Sequence, residues 1–255
     1  MNTKNNEQLD GNHRRLLLRR LMQTAGVMAL SRAFMPWWVQ AADRLPAPLS
    51  AGKSVYDCRG QVTVDGKRVD ENTEIRANAL IETGSDSYVI FAIGSDAHIV
   101  RENSRVQFFN GKAAVSVHED DPFFVHGLRL LSGKLLSVFG ERKSEQPAYQ
   151  LHTSTATVGI RGTGVYAESD VDVSYVCTCY GTTELRAKTD VNQMERIASR
   201  HHDAPRYILA NGQQLITPAP FKNHRDEELM LIEALVGRDA PVSSVSGYKS
   251  PRKGY

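Results

Sequence analysis

The sequence is poor in the features that mark enzymes. It has only three cysteines and eight histidines in 255 residues. It contains neither the His-Glu-x-x-His motif of zinc proteases nor the Gly-x-Ser-x-Gly nucleophile elbow, and none of its cysteines lies in a catalytic family motif. An alternative is that the protein is an envelope hydrolase whose site is the acidic run Glu119 to Asp121. However, a pair of carboxylates can be identified as such a site only from its geometry. We therefore predict that the protein is not an enzyme.

Surplus positive charge is also missing from most of the chain. The formal net charge is +2, and residues 1–41 hold six basic and two acidic residues, so this segment carries +4 and the remainder −2. A protein that binds nucleic acid needs a surplus of Lys and Arg to displace the counterions of the phosphates. The sequence therefore predicts that no nucleic acid is bound.

No apolar stretch is long enough to span a membrane as a helix. The most apolar segment near the N-terminus, Leu21 to Met35, is interrupted by Arg32 and followed by Pro36. A spanning helix needs about 20 consecutive apolar residues. We therefore expect the chain to contact the membrane only during export.

The first 41 residues have the order of a bacterial export signal. Arg14 and Arg15 precede large apolar residues, as in the twin-arginine motif, and the weak hydrophobicity of the segment that follows suits that route better than the general secretory route. Val39 and Ala41 provide small residues at the two positions that a signal peptidase reads. We expect cleavage between Ala41 and Ala42 and a location in the periplasm.

From Val55 onward, short β-type runs alternate with turns that contain Gly, Asn or Asp. Asp65-Gly66 and Asn211-Gly212 are typical of hairpin turns, since these pairs tolerate positive φ angles. Leu128 to Phe139 is predicted to form a pair of strands around Gly133-Lys134. The rhythm of strands and turns predicts a mainly β fold, a roll, solenoid or sandwich of short strands.

One segment, roughly Asp226 to Val236, shows the apolar periodicity of an amphipathic helix. We expect Asn223 to cap its N-terminus, and Gly237 to occupy the position just after its C-terminus. The face that would dock onto the β domain consists of Leu229, Ile232 and Val236.

The run Ala156 to Gly164, Ala-Thr-Val-Gly-Ile-Arg-Gly-Thr-Gly, resembles the signature of the FecR domain. Thr83-Gly84, Asn103-Ser104 and the strand Tyr175 to Leu185 resemble further elements of that family. The resemblance covers roughly residues 55–190. It implies a FecR-like mainly β module that recognises an envelope protein, polymer or ligand in the periplasm, without catalysis.

Four residues of this signature are predicted to define the fold, namely Gly159, Arg161, Gly162 and Thr163. The glycines allow positive φ or a close approach of strands, and Arg161 needs a carboxylate or carbonyl partner if its strand is buried. FecR itself resembles an inner-membrane regulator with a cytoplasmic anti-sigma region ahead of a single membrane-spanning helix. Only about a dozen residues precede Arg14 here, far fewer than a folded domain needs, so we expect no direct control of a sigma factor.

Three interpretations of the cysteines stay open. Cys177 and Cys179 point to the same face of a strand, and the first interpretation is that both are thiols of an apolar core. The second is that one of them forms a disulfide with Cys58 after export to an oxidising compartment. The third interpretation is a copper or zinc site, which adds imidazoles to the two thiolates. Its candidate ligands are Cys177, Cys179, His201 and His202, with His152 as a further choice.

The predicted layout has five segments, and the sequence indicates no oligomeric state. A twin-arginine-type signal peptide and a linker precede the FecR-like β domain, which a C-terminal hairpin and helix complete, and a disordered tail follows. In that order, the segments are residues 1–41, 42–54, 55–190, 191–237 and 238–255.

Replacing Arg14 and Arg15 with lysine should stop export, because the twin-arginine route requires the guanidinium pair whereas the general secretory route accepts any positive charge there. N-terminal sequencing of protein from the periplasmic fraction measures this, and the unchanged protein should begin at Ala42. An intact Met1 on membrane-bound material, or export of the lysine variant, would contradict the prediction.

Overall fold

A computed structural model describes residues 45–50, 52–109, 127–141 and 149–241. The predicted signal peptide, its cleavage site between Ala41 and Ala42, and the acidic run Glu119 to Asp121 lie outside the described residues. The described residues contain no helix that is both long enough and apolar enough to span a bilayer.

Strands dominate the described part of the chain, which contains fourteen of them and one helix. In chain order, the strands are β1 (Val55–Arg59), β2 (Val62–Val64), β3 (Lys67–Arg68), β4 (Leu80–Thr83), β5 (Tyr88–Ile93), β6 (Asp96–Val100), β7 (Arg105–Phe109), β8 (Gly127–Val138), β9 (Tyr149–His152), β10 (Ala156–Ser169), β11 (Val173–Ala187), β12 (Met194–Ser199), β13 (Arg206–Leu209) and β14 (Ile216–Pro218). The helix α1 (Asp226–Leu235) follows them.

The described strands form one mixed sheet. Its main path runs β14-β13-β11-β10-β9-β8-β7-β4-β2-β3, with β12 beside β11, and β1, β5 and β6 joined to it through β8. Among the described strands, β8 and β9 pair in parallel, and the other pairs are antiparallel. The prediction of a mainly β fold with one C-terminal helix is confirmed.

The sheet carries apolar side chains on both faces. On β5, Phe91 enters one core and Ile90 the other, because successive side chains of a strand point to opposite faces. The inner core draws on strands from both ends of the sheet, for example Val62, Val106, Val158, Leu185 and Ile208. The outer core lies between the sheet and α1 and contains Ile90, Ile99, Leu136, Tyr166, Tyr175, Cys177, Cys179, Tyr180, Leu229, Ile232 and Leu235.

The two predicted hairpins form, with different turns. Val64 pairs with Lys67, and Asp65 and Gly66 between them have φ angles of 51° and 76°, as a type I′ turn requires. Residues 210–215 connect β13 to β14, so the second hairpin has a longer loop than the two-residue turn expected at Asn211-Gly212.

The predicted strand pair between Leu128 and Phe139 is wrong, because β8 continues through Gly133. Gly133 has a φ of +90°, and a Cβ at this position would lie 2.2 Å from the Oγ of Ser104. The glycine therefore permits a close approach to the neighbouring chain instead of a turn. The first half of β8 pairs with β7 and the second half with β6 and β10.

The start of α1 is fixed by Glu228 and not by Asn223. The backbone N–H of Arg225 donates to the Glu228 carboxylate over 2.9 Å, and the other carboxylate oxygen of Glu228 pairs with Arg101 at 2.6 Å. Asn223, at a φ of 62°, donates to Glu168 instead. At the other end, Gly237 has the positive φ that was expected of it, +73°.

Residues assigned to the linker and the tail also contact α1. The Leu49 N–H donates to the Leu235 carbonyl over 2.9 Å. On the far side, Arg238 pairs with Glu233 at 2.6 Å, and Ala240 is 5% exposed. The folded unit therefore includes residues immediately before and after the segments that the sequence assigns to it.

The FecR-like signature, Ala156 to Gly164, forms the first part of β10. Its pairing with β11 shifts register after Arg161 and again after Gly164, which indicates an irregular, bulged stretch. Gly162 has a φ of 57° and Thr163 is fully buried. Arg161 is exposed at this irregular stretch, so the burial that would require a carboxylate or carbonyl partner does not occur.

His98 is fully buried among aromatic rings. Its ring centroid lies 5.0 Å from that of Phe91, 5.1 Å from Phe108 and 5.9 Å from Phe139. Its Nδ1 lies 2.8 Å from the Ser137 hydroxyl. Burial lowers the pKa of His98 to about 3.

The free energy of unfolding should therefore fall as the pH drops from about 6.5 toward 3. In this window the unfolded chain protonates His98 and the folded protein does not, which contributes a slope of up to ~1.4 kcal/mol per pH unit. A His98→Leu, Ser137→Ala double variant should lose that slope in denaturant unfolding at several pH values. An equal slope in both proteins would contradict this role of His98.

Candidate metal centre

Strand β11 directs both of its cysteines into the outer core. Cys177 and Cys179 are each 0% exposed. Thr178 and Tyr180 pair with consecutive residues of β10, so Cys179 between them is the extra residue of a β-bulge. Bulges re-aim side chains, and this one sits within the Cys-x-Cys pair.

A glycine of the FecR-like signature makes room for this bulge. Gly164 pairs with Tyr180, and a Cβ on Gly164 would lie 2.6 Å from a carbon of the Tyr180 ring. The Tyr180 hydroxyl in turn donates to Glu233 of α1. The signature therefore shapes the strand that carries the cysteines.

Two histidines from other segments meet the thiols. His202 lies in the connection between β12 and β13, where its backbone N–H donates to the Cys179 carbonyl over 2.9 Å. His224 precedes α1, and its ring stacks on that of Tyr166, with centroids 4.4 Å apart and 17° between the planes. His202 is 8% exposed and His224 is 4% exposed.

Three of the six spacings among the four potential ligand atoms are close to those of a tetrahedral zinc site. Sγ of Cys177 lies 3.4 Å from Nδ1 of His202, and Sγ of Cys179 lies 3.4 Å from Nε2 of His224. The two ring nitrogens are 3.1 Å apart, and all four atoms lie within 4.8 Å of one another. Zinc bonds of about 2.0 Å to nitrogen and about 2.3 Å to sulfur place tetrahedral ligands about 3.3 to 3.8 Å apart.

Hydrogen bonds fix which nitrogen of each ring faces the cluster. Nε2–H of His202 donates to Oδ1 of Asp226 over 2.9 Å, which leaves Nδ1 as the free lone pair. Nδ1–H of His224 donates to the Lys222 carbonyl over 2.8 Å, which leaves Nε2. Carboxylate and carbonyl partners of this kind orient the histidine ligands of metal ions.

The thiols and imidazoles perturb each other electrostatically. Burial raises the pKa of Cys177, but hydrogen bonds with its neighbours in the cluster outweigh burial and hold that pKa well below its usual range. Burial and the bond with Cys177 raise the pKa of Cys179 well above it. Burial lowers the pKa of His202, whereas hydrogen bonds with Asp226 and Cys177 raise it to about 9. Without a bound cation, these shifts favour a Cys177 thiolate beside a His202 ring that is protonated on both nitrogens; a cation would displace the proton on Nδ1 and leave the neutral ring described above.

The structure brings together three of the four residues that the sequence suggested. Cys177, Cys179 and His202 belong to the cluster, whereas His201 turns to Asp226, with its Nε2 2.9 Å from Oδ2. His224 supplies the fourth group. It is 45 residues away from Cys179 in a polar stretch, and no spacing motif connects the two.

The other residues considered in the sequence lie elsewhere. His152, on β9, has ring nitrogens 3.1 Å from side-chain oxygens of Thr157 and Gln150. Cys58 packs against the inner core, on the opposite face of the sheet from Cys177 and Cys179. The three cysteines are free thiols, so the disulfide interpretation fails in this structure.

Cys177, His202 and Asp226 also form a line that resembles a nucleophile, base and orienting carboxylate. Such a line serves catalysis only where a substrate reaches the nucleophile. Cys177 is 0% exposed, and the ring nitrogens of His202 and His224 lie together against the two sulfurs. This arrangement suits an enclosed ion better than an acyl substrate.

Comparison with known proteins adds little about function. No protein-family profile and no curated protein matches the sequence. Two crystal structures of a "putative anti-sigma factor" from Parabacteroides distasonis ATCC 8503 are similar to this chain, each with a TM-score of 0.42 and 9% sequence identity. Each alignment covers 55% of this chain and 58% of that chain, and carries no functional argument. The FecR resemblance stays a prediction.

Proposed function

We propose that the protein binds one zinc ion in a closed four-coordinate centre. The observation that carries the proposal is the convergence of two sulfurs and two correctly oriented ring nitrogens within 4.8 Å of one another, in a buried site. These atoms contact one another at 3.1 to 3.4 Å, and a cation between them would bind all four at once. The ligands are Cys177, Cys179, His202 and His224.

Charge balance favours zinc over copper in this centre. Two thiolates and two neutral imidazoles carry a charge of −2, which Zn²⁺ neutralises, whereas Cu⁺ leaves one negative charge. Uncompensated charge is costly in a buried site. Copper(I) is the natural competitor, because thiolates are soft ligands.

The role of the ion in this proposal is structural. Four protein ligands leave no open position for water or substrate, which distinguishes structural zinc sites from catalytic ones. The ligands come from β11, from the loop before β13 and from the residue ahead of Arg225 at the start of α1. Zinc would therefore fasten two irregular segments and the helix onto the outer face of the sheet.

Metal content tests this proposal directly. Protein purified without a His tag should contain about one zinc per chain, and a Cys179→Ser or His224→Gln variant should lose it. His152→Gln is the matched control, since this histidine lies outside the cluster and should leave the metal content unchanged. Zinc should also raise the free energy of unfolding, by ~2.7 kcal/mol when free zinc exceeds the dissociation constant a hundredfold.

Several outcomes of these measurements would contradict the proposal. Wild-type protein that takes up no zinc would overturn it, as would variants that keep about one zinc per chain through purification. Purified protein that contains about one copper per chain in place of zinc would overturn the choice of metal. Cobalt substitution adds a check on geometry, since a tetrahedral site with two sulfur ligands gives intense visible absorption.

We further propose that this centre supports an exported module, which recognises an envelope protein, polymer or ligand without catalysis. The FecR-like signature and the arginine pair support this context. A cavity of about 330 Å³ is lined in part by Tyr175, Tyr207 and Lys222. The Lys222 ammonium lies 4.7 Å and 5.3 Å from the centroids of these two rings, and its carbonyl holds His224.

A pull-down from envelope extract tests recognition. Zinc-loaded protein should retain a partner stoichiometrically, and a Lys222→Ala variant should retain less of it, because Lys222 forms part of the cavity wall. No specific retention by the loaded protein would contradict the proposal.

A further inference from the structure

A second group of potential ligands adjoins the proposed zinc centre. Nε2 of His201 lies 2.9 Å from Oδ2 of Asp226, and Nε2 of His202 lies 2.9 Å from Oδ1 of the same carboxylate. The ligand atoms of these three residues lie within 4.8 Å of one another. His202 belongs to both groups, through Nδ1 on the inner side and through Nε2 on the outer side.

The outer group has a different donor chemistry from the inner one. Two imidazoles and a carboxylate are borderline to hard ligands, whereas the inner group includes two soft thiolates. Three protein ligands leave a position for water, so an ion here would exchange more readily than one held by four ligands in the inner centre.

The two groups also differ in exposure. Both inner cysteines are 0% exposed, whereas the side chains of His201 and Asp226 are 9% and 16% exposed. The outer group is therefore more accessible to an ion from solvent than the two sulfurs are. The shared His202, with a side chain that is 4% exposed, lies between the two.

We propose that His201, His202 and Asp226 form an outer site for a divalent transition-metal ion, through which the ion passes to the inner centre. This inference rests on the proposed zinc binding. An ion in the outer site occupies Nε2 of His202 while Nδ1 carries the proton. When the ion moves inward to Nδ1, the proton moves to Nε2 and donates to Asp226, as in the hydrogen bond that the structure contains.

This sharing of His202 has a consequence for stoichiometry. A neutral imidazole offers one lone pair at a time, so the two sites exclude each other and the protein should hold one ion even in excess zinc. Asp226 serves both states, first as a ligand and then as the acceptor that orients His202.

The rate of metal uptake separates this role from a merely structural one. In stopped-flow mixing of metal-free protein with zinc, His201→Gln should slow uptake about tenfold or more and leave the equilibrium affinity within about threefold. The glutamine amide can still donate to Asp226, so the orientation of His202 is kept. His152→Gln is the control and should match the wild-type rate.

The alternative role of His201 predicts the opposite pattern. If His201 only orients Asp226, His201→Ala, which cannot donate to that carboxylate, should weaken equilibrium affinity by roughly 10- to 100-fold with uptake unchanged, and that result would overturn the inference. Equal rates and affinities in variant and wild type would also overturn it, while the zinc centre itself would stand. Wild-type protein that binds no zinc would overturn both proposals.

An inner-site variant gives an independent readout. Cys179→Ser combined with His224→Gln leaves the outer group complete, so it should bind zinc weakly, and adding His201→Gln to it should abolish that binding. If the combined variant binds as the double variant does, no outer site exists.

Discussion

Two sulfurs and two imidazole nitrogens lie together in a buried cluster on the outer face of the sheet. The requirement that these buried polar groups find partners is the constraint on which the surrounding structure depends. Unpaired polar groups in such a place are costly, and these four are paired with one another at 3.1 to 3.4 Å; the proposed cation would bind all four together. The loop that bears His202 and the chain before α1 that bears His224 have little regular structure of their own. The contacts of His202 with Cys177 and of His224 with Cys179 therefore help to hold these two segments against the sheet.

The two faces of the sheet have different roles, since one packs an apolar core and the other also carries the cluster. The inner core is apolar apart from groups such as His98, and its burial stabilises the strands. The outer face combines apolar contacts to α1 with the cluster. Strand β10 contributes to both faces. Its Val165 lies in the inner core, and its Gly164 leaves space for the Tyr180 ring beside the bulge. The signature was expected only to define the fold, but its Gly164 also makes room for the bulge that positions the cysteines.

The sequence predicts what depends on local periodicity and misses what depends on distant contacts. The period of two along a strand places Cys177 and Cys179 on one face, and the Asp65-Gly66 pair specifies its turn. Gly133 misleads, because a glycine suits a close approach as well as a turn, and only the neighbouring Ser104 decides between them. His224 could not be assigned from spacing, since its approach to Cys179 depends on where α1 docks.

The docking of α1 requires more than apolar contact, because hydrophobic burial is not directional. The proposed zinc centre would need its ligands held to within about 0.5 Å. Leu229 and Ile232 would tolerate a helix that slides or turns slightly on the sheet. Two charged contacts restrict it: Glu228 joins Arg101 while receiving the Arg225 N–H, and Glu233 receives Tyr180 and Arg238. A buried ion pair adds little net stability, but a misplaced one leaves a charge unpaired. These contacts therefore fix the position of the helix start, and with it Asp226 and His224, before any ion binds.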